Sequence, residues 1–147
     1  MLDFHNLRIY GKVRASQDVL EDVMLLRRFM SAQQIQCLLD GIGGEERGYF
    51  LSTIQSLAQQ IRSMPQTHQT DGQGDQAVAY LHYFKGGMDW YITERDMEPV
   101  QLQAFGIADL GYGAELGYID LVAITRAGAE MDFNWEAKKL AEIKGVS

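Results

Sequence analysis

Residues Ala104 to Leu121 read AFGIADLGYGAELGYIDL. Two short apolar runs flank a turn that carries Asp109, Gly111, Gly113 and Glu115. Alternation on either side of a glycine-rich break predicts two antiparallel strands joined by a tight turn. Glycines at the break supply the positive φ angles that such turns need. They do not form a phosphate loop: no Lys-Ser or Lys-Thr pair follows, and the next element is a strand rather than a helix.

Working outward, Ala77 to Phe84 alternates, with Val78, Tyr80, His82 and Phe84 on one face and Leu81 and Tyr83 on the other. Gly86-Gly87 signals a hairpin. Met88 to Arg95 returns as a second strand, Val100 to Leu110 forms a third, and Leu116 to Ile124 a fourth. Consecutive strands with short turns give an antiparallel meander of four to five strands. Glu136 to Lys144 is expected to close the chain as a helix with Leu140 and Ile143 inward.

The first half has a different period. Leu7 to Val13 reads as one short strand, and Ser16 is placed to cap a helix through Met30. Ser31, with Gln34 three residues on, matches a capping box ahead of Ile35, Leu38 and Leu39. Gly41 is the expected stop. Glu45 to Met64 is the longest predicted helix, with Phe50, Ile54, Leu57, Ile61 and Met64 in one stripe. The stripe suits the core or a homodimer seam, and two heptads are short for a coiled coil. Pro65 ends it, and Gln66 to Gln76 is a polar linker. The fold class is therefore α+β within one domain, 1–65 mainly helical and 77–147 mainly sheet.

The chain has 147 residues, 20 acidic against 13 basic side chains and a net charge of −7. This disfavours nonspecific nucleic-acid binding, which needs a basic face. Basic residues do cluster locally at Arg8, Lys12 and Arg14, then at Arg27 and Arg28. No apolar run is long enough to span a membrane, and the first residues lack a secretory pattern, so a cytoplasmic location is expected. The single cysteine, Cys37, excludes an internal disulfide and is expected to be a small buried apolar residue.

Histidines at 5, 68 and 82 have no metal-ligand spacing. No metal or cofactor is expected. The candidates for chemistry are Glu94, Asp109 and Glu115, with His82 as a base. Convergence of three carboxylates would suit a divalent cation and nuclease chemistry. The alternative for Asp109 is bonding to turn amides. Trp90, Tyr112 and Tyr118 are the candidate binding surface, through base stacking or protein contact.

The segments VAYLHYF, DWYITERD and AFGIADLGYGAELGYIDL resemble the domain-of-unknown-function family 2958. That family's pattern joins a W-x-x-T-E strand to F-G-x-x-D-L-G and E-L-G-Y-x-x-L strands. The matching residues are Trp90, Thr93 and Glu94, then Phe105, Gly106, Asp109, Leu110 and Gly111, then Glu115, Leu116, Gly117, Tyr118 and Leu121. MSAQQIQCLLDGI, Met30 to Ile42, is similar to the family's N-terminal helix, which makes the 45–64 helix and its linker an insertion. The family's Glu-Arg-Asp-Leu ending is matched only loosely, by Glu130, Met131, Asp132 and Phe133. The resemblance implies an accessory protein of plasmids or phages. It carries over no catalytic residues. The expected function is a non-catalytic module binding a host or transfer-machinery protein, one form being interference with host defence. The alternative is a metal-dependent nucleic-acid-processing enzyme or single-strand binder.

Overall fold

Helices come first and strands follow. The computed structural model describes residues 13–96, 103–143 and 145–146, with side chains from residue 18 onward. Helices α1 (Val13–Leu26), α2 (Ala32–Ile42) and α3 (Arg47–Arg62) pack on a five-stranded antiparallel sheet. Its strands are β2 (Leu81–Lys85), β3 (Met88–Glu94), β4 (Ala104–Asp109), β5 (Ala114–Ile119) and β6 (Glu130–Met131), in the order β5-β4-β3-β2-β6. A two-stranded ribbon pairs β1 (Val78–Ala79) with β7 (Lys138–Lys139).

The stripe on α3 is core rather than dimer seam: Ile54, Leu57, Ile61 and Met64 are buried with Leu81, Tyr83 and Ile92 of the sheet. α2 buries Gln34, Ile35, Leu38, Leu39 and Ile42. Cys37 falls on the opposite face and is exposed, contrary to the buried position expected of it. The capping box is half made. Ser31 Oγ accepts from Gln34 N, but the Gln34 side chain instead bonds both backbone groups of Met131, at 2.9 and 2.7 Å. A buried amide that satisfies a strand edge outweighs a local cap. Gly41 lies inside α2, and the helix stops at Gly43. A Cβ at Gly41 would sit 2.3 Å from the Phe50 ring, so this glycine serves close packing of α2 on α3.

Several boundaries move. The expected strand at Leu7 to Val13 lies outside the described residues, except Val13, which opens α1. Ser16 lies inside α1 and does not cap it, and α1 ends at Leu26. The third strand starts at Ala104, with residues 97–102 outside the described set. The fourth stops at Ile119, because Asp120 accepts from Ala123 N and turns the chain into helix α4 (Leu121–Arg126). The closing helix is replaced by β7 and one 3₁₀ turn, Leu140–Glu142. Leu140 and Ile143 do point inward, in a second cluster with Ala77, Ala79 and Ile107. A short helix has little stability of its own, so pairing with β1 prevails.

Candidate functional site

The polar linker is docked. Glu94, 1% exposed at the end of β3, accepts His68 N at 2.9 Å, Thr70 N at 2.7 Å and the Thr70 hydroxyl. His68 adopts a left-handed φ of 74°, which presents its amide to that carboxylate. A buried carboxylate with three donors is satisfied and has no lone pair aimed at solvent. Glu94 therefore fastens residues 66–76 to the sheet.

His82 sits in a different closed cluster. Its partner across the β2–β3 ladder is Tyr91, and the two rings stack at 4.8 Å. Trp135 lies 5.0 Å away on another side. Nε2 is 2.8 Å from Asp89 Oδ1, and Nδ1 is 3.1 Å from Asp132 Oδ2. Carboxylates only accept, so the doubly protonated ring alone donates to both; a neutral ring donates to one. Either way, both nitrogens face acids of this chain. A general base needs one nitrogen within reach of substrate, and here each is occupied. Asp132 also accepts from Asn134 N, and its amide donates to the His82 carbonyl. The Trp135 indole donates to Ala79 O, with Lys138 Nζ 4.6 Å over the ring. The cluster clips the C-terminal segment over the open sheet face. Tyr91 is raised above its ordinary pKa by partial burial, then by the Asp89 and Asp109 carboxylates.

Asp109 stands opposite Asp89 on β4, and its Oδ1 accepts from Gly111 N at 3.0 Å. That is the turn-stabilising reading. Glu115 pairs with Ala108, on the face opposite Asp109, and is exposed. Glu94, His82, Asp109 and Glu115 thus do not share a pocket. Among the described residues, no group of His, Cys, Asp or Glu is arranged to hold a metal ion. Trp90 is buried at 7% exposure, so it offers no stacking surface. Tyr112 and Tyr118 do stand in the open, at 97% and 54%.

Those tyrosines belong to an edge. β5 is an outer strand of the sheet, pairing among the described residues with β4 alone. It presents Leu116, 55% exposed, and Tyr118, whose ring meets Phe105 edge-on at 5.4 Å. Gly111 and Gly113 at φ of 98° and 110° shape the turn that raises Tyr112 beside it. Gly106 acts differently, since a Cβ there would lie 1.9 Å from the Tyr91 carbonyl oxygen, next to the bulge in β3. The motif glycines therefore divide between turn and close strand approach. Sequence reasoning found the tyrosines but missed Asp132 as a partner of His82, fifty positions away. The only sequence signal was an acid-aromatic stretch, Asp132 to Trp135, of the kind that clips a segment down.

No family model matches the chain. No curated protein matches it, and no solved structure does.

Proposed function

We propose that this chain is a non-catalytic protein-binding module, of the accessory kind carried by plasmids and phages, and that it engages a host or transfer-machinery protein through β5. The observation that supports this reading is the outer edge of β5, which has no strand beside it among the described residues. Natural sheets blunt an outer strand with lysine, proline or a bulge. β5 has none of these, and no Lys or Arg occurs between Asp96 and Thr125. Exposed Leu116 and Tyr118 lie along it, and exposed Tyr112 stands in the turn before it. Aromatic residues of this kind are enriched at protein interfaces, and an open edge offers main-chain hydrogen bonds to an added strand. The acids and the histidine that could have argued for catalysis are engaged within the fold or lie apart.

The test is comparative co-purification from cells that express the tagged protein or its Leu116→Lys/Tyr118→Lys variant. Circular dichroism checks that the variant is folded. A protein recovered with the wild type and depleted about tenfold with the variant, the effect of losing one or two interface anchors, supports the reading. A partner retained equally by both, or none recovered by either, overturns it.

A further inference from the structure

Away from β5, three arginines rim one hollow. Arg27 and Arg28 come from the turn after α1, and Arg126 from the last turn of α4. The hollow measures about 610 Å³ and has Met30 and Val122 in its wall. Among the described residues none of these three guanidiniums has an ion-pair partner, in contrast to Arg62, which is bridged to Asp22. One carboxylate, Glu130, shares the rim. Lys85 adds a further positive charge nearby, donating to Ala127 O at the end of α4.

Such an arrangement suits a bound anion. The chain has 20 acids against 13 bases, so carboxylates to pair these arginines are not scarce. Like charges brought together raise each other's energy, and a bound anion relieves it. The planar guanidinium matches the oxygens of a phosphate two at a time, in a way that lysine does not. The volume falls within the range of small-molecule sites, roughly 300–1,000 Å³. A long polyanion would also meet the net charge of −7, whereas a compact anion meets mainly the local field.

We propose that this hollow binds a small molecule bearing a phosphomonoester, held by Arg27, Arg28 and Arg126, with its uncharged part against Met30 and Val122. The site is independent of the β5 edge, and its failure leaves the protein-binding reading untouched.

The experiment uses the full chain and three probes: AMP, adenosine, and a single-stranded oligodeoxyadenylate of about ten nucleotides. Binding is followed by NMR of the arginine Nε–Hε groups and by calorimetry. The expected result is selective shifts of Arg27, Arg28 and Arg126 with AMP at millimolar concentration or below, and none with adenosine. Arg27→Gln/Arg126→Gln, which alters only exposed side chains, should weaken AMP at least about tenfold, the loss of charge-assisted contacts. Equal response to adenosine, AMP binding insensitive to the double variant, or no shift with AMP overturns the proposal. Tighter binding of the oligonucleotide with the same variant sensitivity overturns the small-ligand assignment.

Discussion

Two regions on one face of the β-meander, its middle and its outer strand, treat their polar and aromatic groups in opposite ways. Around His82 everything is taken: both ring nitrogens face carboxylates, the ring stacks on Tyr91, and Trp135 covers it while bonding Ala79 O. Along β5 little is taken: Leu116 and Tyr118 are more than half exposed, and among the described residues one backbone edge has no strand beside it. The residues with the richest chemistry are thus used to hold the fold, and the simplest ones are left for contact. Residue type alone would have placed function at the first region. Counting which bonding capacities are already used is what directs the proposed binding to the second.

This contrast can be broken by experiment, and the largest effect belongs to the closed side. Glu94→Ala leaves the buried Thr70 amide and the half-buried His68 amide without an acceptor. It should cost about 3 kcal/mol or more, since each orphaned donor costs about 1–3 kcal/mol. Urea denaturation measures this; a loss under about 1 kcal/mol would show that Glu94 is not a fastening.

Gly106→Ala comes next. Its methyl would meet the Tyr91 carbonyl, so β3 and β4 must part, at about 2 kcal/mol, in the range of overpacked cores. A variant as stable as the parent would mean that the β3 bulge adjusts freely.

Tyr83→Phe is smaller, at about 1–2 kcal/mol, because the hydroxyl donates to the Phe29 carbonyl and that acceptor is left buried. It carries a pH signature. Burial raises the Tyr83 phenol well above its ordinary 10.0. The folded state keeps the proton after the unfolded chain has begun to release it. Its contribution is therefore complete below pH 10 and falls as pH rises above the unfolded value. Alkaline titration of stability should be flatter in the phenylalanine variant; an unchanged slope would place the loss on other groups.

The smallest effect belongs to the open side. Leu116→Lys should change stability by no more than about 0.5 kcal/mol, as surface substitutions do, and His82→Gln should leave partner binding by β5 unchanged while loosening the C-terminal clip. Hydrogen exchange reads both. Protection lost along β5 on His82→Gln would join the two regions and dissolve the comparison.

The α+β class, the helix stripe of α3, the two hairpins and the turn role of Asp109 were legible in order along the chain. Each depends on residues within a few positions of one another, where backbone period and glycine placement act directly. The division of glycine roles was half legible: Gly111 and Gly113 sit in a turn that the local pattern marks, while Gly106 faces a carbonyl on the neighbouring strand. The burial of Trp90 and the exposure of Cys37 were not legible, because an alternating or helical pattern fixes a face without saying which face is covered. The same holds for the end of the chain, where pairing with Val78 and Ala79 replaced the expected helix.

By itself, then, the sequence determined the elements and their turns, since those follow from local sterics and periodicity. Only the tertiary structure decided which groups were already bonded. Glu94 found the amides of residues 68 and 70, His82 found Asp132, and Gln34 found Met131 across 97 positions. No local rule encodes such meetings, because they depend on how whole layers come to rest against each other. They also decide what stays free: an edge with two tyrosines, and a hollow with three arginines.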